Sequence, residues 1–246
     1  MYLNTKALVL RVNDYNDRDA LLTLLTKQYG KITAKARGLR RKNSPLTAAC
    51  QLLALSEFTL FEYRGMYTVN EARSVELFTP LRKNLEKLSL GTYFAQVSEV
   101  ISQTDVPNGE LLSLTLNCLY ALSETTLSLP QIKAVFELRV ACIAGYTPDL
   151  YDCHCNSGIQ PDFFDLSGGV LLCNRCMNQN VGIRHPITAG TLDAMRYIIS
   201  CDSKKLLQFA LGNENLQQLS FISEAYLVTQ LERGFSTLDF YKSLLI

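Results

Sequence analysis

The spacing of apolar residues changes near Pro80, and this change most constrains what the chain can fold into. Before that point, apolar and polar residues mostly alternate in short runs separated by turn residues, which is typical of β-strands. These runs cover residues 5–12, 20–26, 31–38, 55–63 and 67–77. Five strands within about 80 residues is the size of an OB-fold barrel. The sequence therefore predicts an OB-fold nucleic-acid-binding domain over residues 1–80.

After Pro80 the apolar residues recur at helical spacing, with the proline well placed near a first turn. Further amphipathic segments cover residues 109–124, 129–146, 188–201 and 213–234. A cysteine-rich segment at about 150–180 interrupts them. The predicted fold class is α+β and multidomain. A five-stranded OB-fold barrel is followed by an all-α helical domain over 81–246, with an inserted four-cysteine zinc finger.

The cysteine-rich segment contains "DCHCNSGIQPDFFDLSGGVLLCNRC" at residues 152–176, with two cysteines at each end. Cys173 and Cys176 form a C-x-x-C pair, which lets two thiolates reach one tetrahedral Zn²⁺. The first pair is tighter, with one residue between the sulfurs, and 17 residues separate the pairs, a gap typical of four-cysteine zinc sites. Four protein ligands leave no open coordination position. The segment therefore predicts one structural zinc per chain, bound by Cys153, Cys155, Cys173 and Cys176.

Three alternatives to this zinc site stay open at the level of sequence. His154 can replace Cys153 or Cys155 as a ligand, the C-x-x-C pair can be a redox motif, or the cluster can lack a metal. A thioredoxin-like motif is expected in a βαβ context, which this region does not offer. The remaining cysteines stand singly among apolar residues, where a free cysteine behaves as a small buried hydrophobic residue.

The net charge of +1 conceals an uneven distribution along the chain. Residues 1–83 contain 14 Lys and Arg against 7 Asp and Glu, whereas residues 84–246 contain 10 against 16. A basic module of this kind is where a polyanion would bind. Its densest part is "AKARGLRRKNSPL" at residues 34–46, for which a plain solvated loop is the alternative. The candidate contacts are Lys35, Arg37, Arg40, Arg41 and Lys42.

Aromatic residues lie in the strands near this basic stretch, namely Tyr29, Phe58, Phe61, Tyr63 and Tyr67. Cations that follow phosphates and aromatic rings that stack on bases are what sequence-tolerant single-strand binding requires. Alternation predicts that about half of these rings belong to the barrel core instead. Sequence alone assigns stacking to none of them.

Signatures of catalysis are missing from the sequence. The chain has two histidines, and it contains no HExxH, GxSxG or GxxxxGK[ST] motif. The acidic segment "NDYNDRD" at residues 13–19 is predicted to be a turn between two strands. No apolar run approaches the roughly 20 residues that span a bilayer, and the N-terminus lacks the apolar core of a signal peptide. We therefore expect a non-enzymatic cytoplasmic protein that does not bind membranes.

Several segments, taken in order, resemble the RecO family of bacterial recombination mediators over essentially the whole chain. They are "KALVLRVNDYNDRDALLTLLT", "YGKITAKARGLRRKNS" and "FELRVACIAGYTPDL", followed by the cysteine segment with "SGGVLLCNRC". Family members combine an N-terminal OB-fold with a helical domain that often carries a four-cysteine zinc finger. Zinc-bearing relatives usually have C-x-x-C followed by glycine in the first pair, whereas this chain has C-x-C followed by Asn156.

The resemblance implies a DNA repair protein of the RecFOR pathway that binds single- and double-stranded DNA and anneals complementary strands. It implies that RecR, and in many bacteria RecF, help the protein to load RecA onto DNA coated by single-stranded DNA-binding protein. The helical domain is expected to hold the C-terminal tail of that coating protein. The implied location is the bacterial cytoplasm, in association with the nucleoid. An RNA- or single-strand-binding OB-fold protein is the alternative, and a cysteine-based redox protein is a third possibility.

Overall fold

The structure is a computed structural model that describes residues 1–153, 155, 158–176 and 182–245. Its N-terminal part is a closed barrel in the strand order β1-β2-β3-β5-β4. Strands β3 and β5 are parallel, and the other neighbours are antiparallel. The predicted five-stranded OB-like barrel is confirmed. The strands are β1 (Tyr2–Asp14), β2 (Ala20–Thr26), β3 (Lys31–Ala36), β4 (Leu55–Tyr63) and β5 (Met66–Glu76).

The barrel forms because its strands alternate between inward apolar and outward residues. In β3, Ile32, Ala34 and Ala36 are buried, while the residues between them are at least partly exposed. In β4, Phe58 and Leu60 point into the core. The same alternation turns the intervening residues of β3 and β4 outward, whereas β2 is buried along nearly its whole length.

Helices make up most of the chain after the barrel, as predicted. Asn84 caps the first α-helix by accepting a hydrogen bond from the Lys87 backbone N–H. The helix does not start at Pro80 itself, because a short 3₁₀ turn at Leu81–Lys83 lies between the proline and the cap. Thr188 caps the fourth helix by accepting a hydrogen bond from the Thr191 backbone N–H. The α-helices are α1 (Leu85–Ile101), α2 (Gly109–Glu124), α3 (Leu129–Ile143), α4 (Ala189–Ser200), α5 (Asn213–Gln230) and α6 (Ser236–Ser243).

The cysteine segment lies in a small sheet that the sequence pattern did not predict. Its order is β6-β8-β7-β9. Three of its strands have only three residues, which is too short for alternation to be recognised. The insert within the helical part is thus present, but a sheet supports it. The strands are β6 (Asp149–Cys153), β7 (Phe163–Asp165), β8 (Val170–Leu172) and β9 (Arg184–Pro186).

The chain divides into two compact units. One contains residues 1–125 and 235–246, that is, the barrel with α1, α2 and α6. The other contains residues 126–234, that is, α3, the small sheet, α4 and α5. These units group the first two helices with the barrel. They do not test the domain boundary expected at residue 80, which stays a prediction.

An ion trio around the buried Lys133 joins α3 to α5 in the second unit. Lys133 Nζ lies 3.0 Å from a carboxylate oxygen of Glu137 and 2.8 Å from one of Glu224. Burial opposes the ammonium charge, but attraction to the two carboxylates outweighs it and raises the pKa of Lys133. The side chains of Lys133 and Glu137 are 4% and 0% exposed, so this ion pair lies in the interior of the unit.

Candidate nucleic-acid interface and metal centre

The five cations of the basic stretch separate into two groups in the structure. Lys35 and Arg40 contact the turn between β1 and β2, whereas the other three line an open groove. We call this turn, residues 14–19, the acidic turn. The groove, with its three cations Arg37, Arg41 and Lys42, we call the basic groove. Sequence proximity alone did not separate these groups.

Lys35 is held by a carboxylate of the acidic turn. Its Nζ lies 3.0 Å from Asp19 Oδ2, and Asp19 Oδ1 accepts a hydrogen bond of 2.9 Å from the Gly38 backbone N–H. The Gly38 N–H, then the hydrogen bonds from Lys35 and Asn16, lower the pKa of Asp19 from 3.8 to about 2. The carboxylate therefore stays charged at neutral pH and fixes the start of the loop after β3.

Arg40 is held by the same turn. Its Nη1 lies 3.1 Å from Asp14 Oδ2 and donates to the Asn16 backbone carbonyl at 3.2 Å. The turn itself is organised by Asn16, whose Oδ1 accepts from the backbone N–H groups of Arg18 and Asp19, an Asx-type arrangement. The acidic segment is thus a strand–strand turn, as expected, and it also anchors the basic loop.

The basic groove lies on the outside of the barrel and has a volume of about 590 Å³. Its three cations are exposed, and they have no carboxylate partner among the residues that the structure describes. Backbone hydrogen bonds from Arg41 N–H to the Gly38 carbonyl and from Ser44 N–H to the Arg41 carbonyl hold the loop in successive turns. The groove is lined by Tyr2, Arg37, Gly38, Arg41, Lys42, Asn43, Ser44, Pro45, Leu46, Phe61, Thr68, Val69 and Asn70.

The five aromatic candidates divide between core and surface. Phe58 is buried in the barrel, and Tyr29 and Tyr67 are partly buried against the core. Phe61 and Tyr63 point outward and are exposed. Only Phe61 of the five lines the basic groove.

Tyr2 is a groove residue that the sequence analysis did not single out. It lies directly opposite Phe61 in the β1–β4 pairing, and the two ring centroids are 5.3 Å apart at an interplanar angle of 55°. Its position at the outward end of β1 depends on the register with β4. The predicted first strand, residues 5–12, did not include it, whereas β1 extends back to Tyr2 and pairs there with β4.

The four clustered cysteines come together in the small sheet. The Sγ–Sγ distances are 3.4 Å from Cys153 to Cys155, 3.7 Å from Cys153 to Cys176 and 3.8 Å from Cys155 to Cys173. All four sulfur atoms lie within 4.8 Å of one another. Both sulfurs of the C-x-C pair thus reach one cluster, while His154 lies outside the described residues.

Pairing of β6 with β8 explains this convergence. The two strands are parallel, with Cys153 opposite Leu171, so the end of β6 meets the end of β8 just before Cys173. The Cys173 backbone N–H donates to Cys153 Sγ at 3.1 Å. The tight turn before β8 ends at Gly169, whose φ is +64°, a backbone conformation that glycine adopts without steric cost.

The geometry of the cluster fits a tetrahedral metal. With Zn–S bonds of about 2.3 Å, tetrahedral sulfurs lie about 3.8 Å apart, close to the distances above. Three of the cysteines are buried, and Cys155 is exposed. Hydrogen bonding to Cys155 and then burial raise the pKa of Cys176 to about 12. The set can hold a thiophilic ion, and four ligands would leave it no free position for a substrate.

Comparisons with known proteins cover nearly the whole chain. The family described as "Recombination protein O N terminal" matches residues 1–78, and "Recombination protein O C terminal" matches residues 82–239. A DNA repair protein RecO of Acetivibrio thermocellus is 34% identical over 99% of this chain and 97% of that protein. Another, of Alkaliphilus metalliredigens, is 28% identical over 99% of this chain and 100% of that protein.

The OB-like barrel, the cysteine cluster and these matches place the chain in a class of DNA repair mediators rather than enzymes. The chain belongs to the recombination protein O family. This confirms the family resemblance of the sequence and supports a role in DNA repair. Within the described ranges, none of the helices combines the length and apolar character needed to cross a membrane.

Proposed function

We propose that the chain is a recombination mediator that binds single- and double-stranded DNA and anneals complementary strands. With RecR, and with RecF, it helps to load RecA onto DNA coated by single-stranded DNA-binding protein. The observation that carries this proposal is the basic groove, where three exposed cations face a common space beside outward aromatic rings on an OB-like barrel. Its proposed location is the cytoplasm, in association with the nucleoid.

The charges of the basic stretch support two different roles in DNA binding. Arg37, Arg41 and Lys42 have no carboxylate partner among the described residues. A DNA phosphate could therefore contact each of them without first displacing a carboxylate. Such contacts release counterions and give binding that is sensitive to salt and tolerant of sequence. Lys35 and Arg40 complete the DNA-binding set, mainly by holding the loop against Asp19 and Asp14.

We also propose that the cysteine cluster binds one Zn²⁺ per chain in a structural role. The sulfur spacing supports zinc. Cys153 ends β6 and Cys173 directly follows β8, so a bound ion would tie these two strands together. The C-terminal tail of single-stranded DNA-binding protein is proposed to bind the helical part of the chain.

Annealing of two complementary single strands in the absence of ATP tests the proposed function. We expect the protein to accelerate annealing of both bare strands and strands coated by single-stranded DNA-binding protein. The Arg41→Ala/Lys42→Ala double variant should lose most of this acceleration. The Lys204→Ala/Lys205→Ala variant removes two adjacent exposed cations of the other compact unit and should retain it.

Other outcomes would contradict the proposal. If the protein does not anneal strands, or if both double variants lose annealing equally, the basic groove is not what carries the function. Stronger binding to an RNA oligomer than to the matching DNA would favour the RNA-binding alternative. Thiol–disulfide turnover that disappears on Cys173→Ser would favour a redox protein.

A further inference from the structure

Three aromatic side chains form a row on the outer surface of the barrel. Phe61 and Tyr63 are two residues apart on β4, so they point to the same side of the sheet. Tyr2 on β1 pairs with Phe61 in register. The exposed fractions are 61% for Tyr2, 39% for Phe61 and 57% for Tyr63. We call these three residues the aromatic row.

The aromatic row and the basic groove share one space. Tyr2 and Phe61 line the groove together with its three cations, and Thr68 and Asn70 of β5 also line it. At the far end of the row, the Arg64 guanidinium lies 5.2 Å from the centre of the Tyr63 ring. Rings and positive charges therefore lie side by side on this surface.

We propose that the aromatic row is a stacking platform for unpaired bases, which makes the basic groove selective for single-stranded DNA. This inference rests on the proposed DNA binding. Bases would stack on Tyr2 and Phe61 while the phosphates meet Arg37, Arg41 and Lys42. Stacking requires a free base face, which a single strand offers and a duplex does not. The duplex would then use only the phosphate contacts of the groove.

Two features of the site favour this occupant over a protein surface. The cations around the rings have no carboxylate partner among the described residues, so the site complements a polyanion. The rings also sit on paired strands rather than on a loop, so binding need not order the backbone that carries them. Recognition through ring faces is tolerant of base sequence.

A fluorescence experiment tests base stacking directly. The chain contains no tryptophan, so the Phe61→Trp variant has a single reporter at the site. Its emission should be quenched by an oligothymidylate but much less by a duplex, or by an abasic oligomer of the same length. A Tyr120→Trp variant, at an exposed position of α2, is the matched control and should not respond.

Affinities give a second test that is independent of the reporter. Phe61→Ala should weaken single-strand binding by about 5-fold to 150-fold, the range that one base–aromatic stack supplies. Duplex binding should change by less than about twofold, and the salt dependence should not change, because no phosphate contact is lost. Phe61→Tyr keeps a ring and should bind single strands like the original protein.

The results separate this inference from the proposed function. If neither form of DNA binds, the proposed function and the inference both fail. If DNA binds through Arg41 but the Phe61 variants bind single strands normally, only base stacking is wrong. Equal loss of single-strand and duplex binding in Phe61→Ala, or unquenched emission, would also overturn it. Loss of a protein partner with DNA binding intact would make the row a protein interface.

Discussion

Removing the cations of the basic groove should reduce the salt dependence of DNA binding by a calculable amount. Each neutralised phosphate contributes about 0.7 to the slope of log affinity against log salt for a single strand. If Arg37, Arg41 and Lys42 each meet one phosphate, they contribute about 2 to that slope. Between 50 and 200 mM salt, this share weakens binding by roughly 18-fold. The triple alanine variant should lose that share of the salt dependence and bind more weakly at low salt.

Arg40 and Arg41 provide a matched pair for this prediction, since both are exposed arginines in one loop. Arg41 lines the groove, whereas Arg40 is 3.1 Å from Asp14. Arg41→Ala should lower the slope by about 0.7. Arg40→Ala removes the same charge but should change the slope clearly less, because that charge is already paired.

Fluorescence anisotropy of a labelled oligothymidylate, titrated at several salt concentrations between 50 and 200 mM, measures both quantities. Circular dichroism of each variant controls for folding. An Arg41→Ala slope equal to that of the original protein would refute the reasoning. Equal changes for Arg40→Ala and Arg41→Ala would show that total charge, rather than the groove, determines binding.

Three further perturbations follow from the structure. Elemental analysis should find about one zinc per chain, and chelation should speed hydrogen exchange in residues 150–180 while the barrel stays protected; four accessible thiols in a metal-free protein would contradict this. Lys133→Met removes the cation that lies 3.0 Å from the buried Glu137 carboxylate and should cost about 3–5 kcal/mol in urea unfolding. Lys133→Met/Glu137→Leu should recover much of this, and an equal loss would argue against the ion trio. The lowered pKa of Asp19 contributes folding stability above pH 3.8, and this stability is lost as pH falls through about 2. NMR titration of the Asp19 carboxyl should therefore show a midpoint near 2. A midpoint near 3.8 would contradict the anchoring contacts.

Regular local patterns made much of the fold predictable. The strand at Ala20–Thr26 and the helix at Gly109–Glu124 have the predicted bounds, because hydrophobic period and end signals are properties of neighbouring residues. Helix α6 and the short strands of the cysteine sheet were not predicted. Three-residue strands such as β7 and β8 carry no readable period, and they exist only because they pair with each other.

For the candidate sites, the sequence by itself determined which chemical groups are available: four cysteines at metal-ligand spacing, a cluster of cations and several aromatic rings. Tertiary structure alone decided how those groups are used. It paired Lys35 and Arg40 with carboxylates, left three cations in a groove and brought Tyr2 beside Phe61. The reason is physical. Charge and periodicity are encoded locally, whereas contacts between distant residues depend on which strands pair and in which register, and the packing of the whole barrel sets both.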